Sequence, residues 1–287
     1  MTRAAPHDEG QSHSPQGRKG KSRGKIMATT TQHAPGTFCW PELATTDQDG
    51  AKKFYAALFG WGHEDNPMDQ GGVYTMLKLK GAAVGALYGM PPEESKMAPP
   101  RWNSYVAVES ADQAATRAKQ LGGTVMMEPF EVMEHGRMAI LQDPTGATFC
   151  VWQPKKHTGA GVLDEVGALC WTELMTSDTG KAGTFYTGLF PWKAEEMSMP
   201  GMKYTIFKRG NAQAGGMMAK PAEMGPIPSH WLVYFQVDDC DGYAAKAKGL
   251  GGKVAVPPTD IPSIGRFSVL QDPQGATFAV IKLATPA

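Results

Sequence analysis

The chain repeats itself once, at the scale of a whole domain. The motif Cys-Trp-x-Glu-Leu at 39–43 returns at 170–174, and Leu-Gln-Asp-Pro-x-Gly-Ala-Thr-Phe at 141–149 returns at 270–278. The first pair of motifs is 131 positions apart, far more than the roughly 20 to 50 residues of a solenoid or propeller repeat. Each copy is long enough to bury its own core, so the sequence predicts two homologous globular domains.

Composition agrees with two ordinary folded domains and a different N-terminal tail. The 287 residues are 41% hydrophobic and 20% charged, with no net charge, which is typical of soluble proteins. Residues 1–35 are rich in Gly, Ser, Gln and Pro, and five of the six lysines and arginines of this tail cluster at 18–25. We predict a disordered basic tail at 1–35, with solvation favoured over nucleic-acid binding, and neither a secretory signal nor a membrane span.

The four cysteines indicate a reducing compartment. Cys39 and Cys170 occupy the same position in the two copies, and no CxxC spacing occurs among the four. Buried, reduced thiols are therefore the default interpretation, with Cys150 as a minority candidate for a catalytic cysteine. We predict a cytoplasmic protein.

Each copy reads as strands combined with two helices. Apolar residues at helical spacing follow a short strand and begin after Thr46 or Asp47, one of which is the expected N-cap. Later strands and a second helix that ends at Gly122 repeat the order of one strand, one helix and three strands. We predict this module twice per domain, with domains at 36–153 and 167–283 and a linker at 154–166.

These features resemble the vicinal oxygen chelate superfamily, which includes glyoxalase I, extradiol dioxygenases and bleomycin-resistance proteins. The resemblance rests on Asp47 with Phe54-Tyr55 seven residues later, on the Leu-Gly-Gly helix end at 121–123, and on the Asp-Pro-x-Gly turns. The Trp-x-Glu-Leu openings are similar to a tandem two-domain bacterial subgroup. The resemblance implies an α+β fold of two tandem glyoxalase-like domains, each a pair of βαβββ modules that form a cupped mixed sheet with helices on the outside.

The resemblance also implies where a metal would bind. The family holds a divalent metal inside the cup through four His or Glu side chains, one each near strands one, four, five and eight of a domain. Here the first position holds Trp40 and Trp171, the third holds Asn103 and Leu232, and the fourth strands contain no Asp, Glu or His. The last position holds Cys150 in one copy and Ala279 in the other. Neither copy keeps the set, so we predict no metal and no cofactor.

A repeated carboxylate is the main candidate for chemistry. Side chains alternate between the faces of a strand, so Glu42 shares the inward face of Trp40, and Glu173 that of Trp171. An apolar pocket raises the pKa of a carboxyl group, so both glutamates are candidate general bases. The alternative interpretation is structural, with each glutamate paired to Arg137, Arg266 or backbone N–H groups.

The predicted ligand-binding residues surround these glutamates. They are side chains expected to point inward from the strands, one histidine at the rim and the two repeated arginines: Trp40, Asn103, Tyr105, Cys150, Trp152, Trp171, His230, Tyr234, Arg137 and Arg266. The two arginines are also candidates to stabilise a negatively charged oxygen of the substrate. Together with several methionines, they predict an apolar, adaptable cavity with few polar groups.

Two function classes stay open at this stage. One is a glyoxalase-like lyase or isomerase that acts on a small oxoaldehyde-type metabolite without the usual metal. The other is a non-catalytic protein that sequesters a small molecule, as in bleomycin resistance. The expected partner in both is a small hydrophobic or carbonyl metabolite, without nucleic acid or membrane, and the domains are expected to pair internally, with a homodimer as a further option.

Overall fold

The fold is described from a computed structural model of the chain, which describes residues 1–2, 32–68, 71–199, 202–221 and 224–284. The basic stretch at 18–25, on which the prediction for the tail depends, lies outside these residues. Among the described residues, the four cysteines are free, and no helix is long and apolar enough to cross a membrane.

The first half of the chain forms eight strands and three helices. In chain order these are β1 (Phe38–Thr45), α1 (Gln48–Phe59), β2 (Gly62–Pro67), β3 (Val73–Leu79), β4 (Ala82–Gly89), α2 (Pro92–Met97), β5 (Arg101–Ala107), α3 (Ala111–Gln120), β6 (Thr124–Val132), β7 (Gly136–Gln142) and β8 (Thr148–Pro154).

The second half repeats the order of the strands and of helices α1 and α3, and among its described residues no helix corresponds to α2. It contains β9 (Leu169–Thr176), α4 (Thr179–Leu189), β10 (Lys193–Met199), β11 (Met202–Arg209), β12 (Ala212–Ala219), β13 (His230–Gln236), α5 (Cys240–Gly249), β14 (Lys253–Ile261), β15 (Gly265–Gln271) and β16 (Thr277–Leu283).

Each half forms its own mixed sheet. The strand order is β2-β3-β4-β1-β5-β8-β7-β6 in the first sheet and β10-β11-β12-β9-β13-β16-β15-β14 in the second. Pairs β1–β4 and β5–β8 are parallel, while β1 and β5 pair antiparallel at the junction of the two modules. The predicted α+β fold of two tandem glyoxalase-like domains, each a pair of βαβββ modules, is confirmed.

Local sequence explains the helix boundaries and one missed strand. Asp47, not Thr46, caps α1, since its Oδ1 accepts from Gly50 N at 2.9 Å. The helix ends at Gly60, which has a φ of 74°, a conformation that costs glycine little. Strand β2 was not predicted because its six residues are all exposed and lack an apolar alternation.

The outer faces of the two sheets share a single core. Helix α1 of the first domain packs against α5 of the second, and α3 packs against α4. Trp61 and Trp192 lie in this shared core, and each indole N–H crosses to the other domain: Trp61 Nε1 donates to Gly167 O at 2.7 Å and Trp192 Nε1 to Gly36 O at 2.8 Å. The helices therefore cover the outer faces of both cups and hold the domains together.

A buried tyrosine links the domains at the repeated Asp-Pro-x-Gly turn. Tyr55 OH on α1 donates to Asp272 Oδ2 at 3.0 Å, and it accepts from Trp102 Nε1 at 3.0 Å. Asp272 Oδ1 in turn holds its own turn by accepting from Gln274 N and Ala276 N. In the pseudo-symmetric position, Tyr186 accepts from Trp231 Nε1 at 2.8 Å and lies beside Asp143.

Removal of the Tyr55 hydroxyl should destabilise the whole molecule. Tyr55→Phe leaves a buried carboxylate oxygen and the Trp102 N–H without this partner, which we expect to lower the free energy of unfolding by about 1–3 kcal/mol. Urea unfolding followed by circular dichroism measures the change. Tyr243→Phe, at a half-buried ring on α5, is the matched control and should change stability by less than about 0.5 kcal/mol. Equal effects of the two substitutions would contradict the proposed link.

Candidate active site in two unequal cups

The inner face of each sheet holds one buried glutamate at its centre. Glu42 lies on β1 opposite Asn103 of β5 and Ala86 of β4. Glu173 lies on β9 opposite Leu232 of β13 and Gly216 of β12. Neighbouring strands cover both glutamate side chains, so each residue is only 7% exposed.

In the first cup, Glu42 accepts hydrogen bonds from two tyrosines and an amide. Tyr74 OH donates to Glu42 Oε1 and Tyr105 OH to Oε2, each at 2.8 Å, while Asn103 Nδ2 lies 3.4 Å from Oε2. The prediction that Asn103 and Tyr105 lie beside Glu42 therefore agrees with the geometry. Both carboxylate oxygens are satisfied without any cation.

In the second cup, two tyrosines alone hold the carboxylate. Tyr204 OH donates to Glu173 Oε2 at 2.7 Å, and Tyr234 OH donates to Oε1 at 2.9 Å. Leu232 takes the place of Asn103, so this carboxylate has one donor fewer. The structure brings the predicted residue Tyr234 to the predicted base.

The tryptophan at the family's first metal-ligand position is part of the same network. Trp40 Nε1 donates to Tyr74 OH at 3.2 Å, and Trp171 Nε1 donates to Tyr204 OH at 2.9 Å. Each cup thus contains a Trp-Tyr-Glu-Tyr chain of hydrogen bonds.

One tyrosine of each network is absent from the residues predicted from the sequence. Tyr74 and Tyr204 come from the hairpin strands β3 and β11, and both open the repeated pattern Tyr-Thr-x-x-Lys. That repeat was the available signal. The distance between the two copies of this pattern differs by one position from the distance between the copies of the flanking motifs, because the second domain is shorter in this region. That difference hides the match.

Burial sets the protonation behaviour of the network. Burial raises the pKa of Glu42 and of Glu173, although the tyrosine hydrogen bonds act in the opposite direction. Burial also raises the pKa of Tyr105 and Tyr234 well above the ordinary value, reinforced by the adjacent carboxylate. The tyrosines are therefore neutral hydrogen-bond donors at neutral pH, and the glutamates are stronger bases than an exposed carboxylate.

The remaining predicted residues of the first cup form its apolar end. Trp40, Cys150 and Trp152 are buried together with Tyr105 and Met138. Trp152 Nε1 donates to the backbone oxygen of His157 at 2.8 Å. Burial raises the pKa of the Cys150 thiol, which disfavours the reactive thiolate and the minority interpretation of Cys150 as a nucleophile.

The two arginines do not lie at either glutamate, which corrects the interpretation of Arg137 and Arg266 as ligand-binding residues. Arg137 forms a two-pronged ion pair with Asp112 at 2.8 Å for both contacts, and Arg266 contacts Asp241 at 2.6 and 2.9 Å. The reason is strand alternation: Met138, the next residue along β7, points into the cup, so Arg137 points out toward α3. Pairing of either glutamate with an arginine is likewise not observed.

The side chains at the family's metal positions do not fit a divalent metal. In the first cup they are an indole already committed to Tyr74, an amide and a protonated thiol, and in the second they include Leu232 and Ala279. Across the part of the chain that the structure describes, no three His, Cys, Asp or Glu side chains come together as a metal site. Indole and aliphatic groups offer no lone pair to a metal.

A cavity of about 2500 Å³ reaches both glutamates. It is larger than the roughly 300–1,000 Å³ typical of small-molecule sites. In the first cup it contacts Glu42, Tyr105 and Asn103, whereas in the second it extends from His230 at the rim to Trp171 and is lined mainly by apolar side chains, among them Met175, Met218, Leu232, Phe267, Val269 and Ile281. His230 itself is held by Nδ1, 2.9 Å from Pro228 O.

Gly216 makes room for Tyr204 at Glu173. A Cβ built on Gly216 would lie 1.9 Å from Tyr204 Oη and 3.0 Å from Trp171 Nε1. Ala86 holds this position in the first cup, where the indole-to-tyrosine hydrogen bond is longer.

We expect Gly216→Ala to displace Tyr204 and to cost about 1–3 kcal/mol of stability. Gly183→Ala, whose added Cβ would meet only Met217 Cε at 3.6 Å, is the matched control, and urea unfolding should show no loss there.

The buried carboxyls should also give stability a characteristic pH dependence. Because their folded pKa values are raised above the ordinary 4.5, their contribution is complete below pH 4.5 and is lost as the pH rises through the raised values. The free energy of unfolding of the wild type minus that of Glu42→Gln/Glu173→Gln should therefore fall as pH increases above 4.5. Urea titrations at a series of pH values measure it, and a constant difference would contradict the assignment.

Comparison with known proteins identifies a family and relatives with similar sequences. The family model described as Glyoxalase/Bleomycin resistance protein/Dioxygenase superfamily matches residues 37–151 and 168–280. "Putative glyoxylase CFP32" of Mycobacterium tuberculosis is 46% identical over 260 residues, which cover 90% of this chain and 99% of that protein. "Anthracycline biosynthesis protein DnrV" of Streptomyces peucetius is 33% identical and covers 88% of this chain and 95% of its own length.

Solved structures agree on the fold. The Mn(II)-bound glyoxalase from Novosphingobium aromaticivorans has a TM-score of 0.61 at 18% identity, covering 86% of this chain and 82% of that one. The 2,3-dioxygenase LapB from Pseudomonas sp. KL28 has a TM-score of 0.61 at 13% identity, covering 91% and 96%. The family model matches both repeats, and with the 46% identical relative it shows that the chain belongs to the glyoxalase/bleomycin resistance protein/dioxygenase superfamily.

Proposed function

We propose that this protein is a glyoxalase-like isomerase or lyase that moves a proton beside a carbonyl group without a metal. The observation that carries this is the buried glutamate held between two neutral tyrosines at the floor of each cup. The glutamate is the general base, and the tyrosines are the hydrogen-bond donors for the oxygen that becomes negative. An oxoaldehyde-type metabolite or a related carbonyl compound is the substrate class.

The geometry supplies both halves of such a reaction. The carboxylate removes a proton from the carbon next to the carbonyl, and the electron pair of that C–H bond moves to the carbonyl oxygen to give an enolate. A protonated glutamate accepts fewer hydrogen bonds, so Tyr204 or Tyr234 can donate instead to the enolate oxygen. In an α-hydroxycarbonyl substrate, such as the hemithioacetal of an oxoaldehyde, the proton then returns to the former carbonyl carbon. The proton of the substrate hydroxyl moves to the enolate oxygen, so the hydroxyl-bearing carbon becomes the new carbonyl group and the isomerisation has no net change in atoms or electrons.

The tyrosines take the role of oxyanion stabiliser for which the sequence suggests Arg137 and Arg266. Donors placed where negative charge develops in a water-poor site are worth roughly 3–4 kcal/mol each in related oxyanion sites. Here one tyrosine of each pair is fixed by a second contact, from the indole N–H of Trp40 on Tyr74 and from that of Trp171 on Tyr204. The name of the mycobacterial relative, a putative glyoxylase, supports the same assignment.

A non-catalytic binding function is the second candidate. Both oxygens of each glutamate already accept hydrogen bonds, and the cavity around them is mainly apolar, as expected for a protein that only sequesters its ligand. The relative named for anthracycline biosynthesis supports a link to apolar polycyclic compounds. Under this alternative, the same cups bind a hydrophobic metabolite and leave it unchanged.

We also propose a cytoplasmic protein whose partner is a small hydrophobic or carbonyl metabolite, with no nucleic acid or membrane partner. The free cysteines support the compartment. The contacts between the domains support internal pairing in place of the dimer that a single cup-forming domain would need, and a further homodimer stays open to measurement.

Turnover of methylglyoxal with 2-mercaptoethanol tests the function. We expect turnover that a chelator does not reduce, and a loss of about 100-fold or more in Glu42→Gln/Glu173→Gln, since a general base contributes roughly 10²–10⁴. Glu131→Gln, at an exposed carboxylate paired with Lys155, is the control for loss of a surface charge. Loss of turnover on chelation would contradict the metal-free mechanism, and absence of turnover in every sample would favour the binding function.

A further inference from the structure

We infer that the second cup is the catalytic site and that its substrate is an uncharged molecule with fused rings. In this arrangement the rings lie against the Trp171 indole, and the carbonyl group of the substrate reaches Glu173. The inference rests on the proposed function and adds which cup acts and on what kind of substrate. It follows from three differences between the cups, in filling, in donors and in charge.

The first cup is filled at its tryptophan end by the interdomain linker. The His157 ring packs edge-on against Trp40, with ring centroids 4.5 Å apart, and lies 5.8 Å from Trp152. Trp40 is 4% exposed as a result. Burial lowers the pKa of His157 to about 4, so the imidazole is neutral at physiological pH and serves as an apolar plug.

Backbone hydrogen bonds hold this plug in place. His157 N donates to His135 O at 3.0 Å, Ala160 N to Cys39 O at 2.8 Å, and Gly161 N to Ala83 O at 2.8 Å. The linker is thereby tied to β1, to β4 and to the hairpin between β6 and β7. A ligand would have to break several of these bonds to reach the Trp40 indole.

The second cup is open over the corresponding surface. Trp171 lines the cavity, whereas Trp40 does not, and among the residues that the structure describes no aromatic or imidazole ring packs on Trp171. The apolar residues Met175, Phe267 and Ile281 line the same cavity. An indole plane beside flexible thioether and aromatic groups favours a flat, fused-ring ligand.

The donor set also favours Glu173 as the base. Glu42 has Asn103 as a third donor, and the matching residue in the second cup is Leu232. Each hydrogen bond to a carboxylate stabilises its charged form, so a carboxylate with fewer donors takes up a proton more readily. The two tyrosines that could follow the charge to a substrate oxygen are retained.

Charge on the cavity wall defines the ligand further. Arg101 and Arg209 are the only lysine or arginine side chains among the described residues that line it. Arg101 is paired with Glu94 at 2.5 Å, and Arg209 lies five residues from Tyr204 along β11, about 16 Å at the ordinary strand rise. A carboxylate-bearing ligand would meet Glu173 with His230 at the rim and no lysine or arginine beside the carboxylate, so an uncharged ligand fits and an anionic conjugate does not.

Deuterium exchange into 2-tetralone, an uncharged bicyclic ketone, tests the working cup. Proton NMR in D₂O follows loss of the protons beside the carbonyl, corrected for the rate without protein. We expect exchange by the full chain and a decrease of about 100-fold or more in Glu173→Gln alone, the low end for loss of a general base. A decrease of half or less would show that both cups act equally and would overturn the assignment of the second cup.

The ligand class is tested with a carboxylate-bearing tetralone in the same assay. Its kcat/KM should be lower than that of 2-tetralone by about tenfold or more, which corresponds to roughly 1.4 kcal/mol. Comparable values for the two ketones would overturn the preference for an uncharged ligand.

Binding stoichiometry separates this inference from the proposed function. Equilibrium dialysis should find one 2-tetralone per chain, abolished by Trp171→Ala, and His157→Ala should open a second site. One bound ketone without any exchange would support the second cup as the binding site while the catalytic proposal fails. Two equal sites in the wild type, or binding that survives Trp171→Ala, would overturn the inference even if exchange occurs.

Discussion

Burial of the outer faces of both sheets against each other is the constraint on which the rest of the structure depends. The helices that cover one sheet also pack on the helices of the other, and the indoles of Trp61 and Trp192 bond to backbone oxygens across the boundary. Neither outer face could be exposed without leaving a large apolar surface in water. Because the outer faces are occupied in this way, the inner faces are the surfaces of the two sheets that stay available to a ligand.

The inner faces show how a family that usually holds a metal can keep a polar centre with different residues. A buried carboxylate needs compensation, which tyrosine hydroxyls provide at both Glu42 and Glu173. The indole at the first ligand position then orients one tyrosine of each pair. The result is a set of neutral hydrogen-bond donors around a buried carboxyl group whose pKa is raised.

Duplication produced two cups from one plan, but the linker makes them unequal. The residues that join the domains must cross one cup, and here His157 lies against Trp40 on the way. Asn103 and Leu232 then differ at the position opposite the glutamate. The first cup is therefore filled at its tryptophan end, whereas the second keeps Trp171 on the cavity wall, an arrangement that a dimer of identical single domains could not adopt while it remains symmetric.

The sequence by itself determined the duplication, the βαβββ modules and the glutamate on each inner face, because strand alternation and the spacing of helix caps and turns are local properties. It also placed Asn103, Tyr105 and Tyr234 on the inner faces. Strand β2 was not predicted because it is exposed. Tyr74 and Tyr204 were not predicted because a difference in length between the two domains hid their repeat. Only the tertiary structure decided which side chains are in contact. Arg137 and Arg266 form ion pairs on the outside of the cups, tyrosines from distant strands bind each carboxylate, and the linker lies in one cup. Those contacts join residues far apart in the chain, and their partners are selected by packing rather than by local spacing.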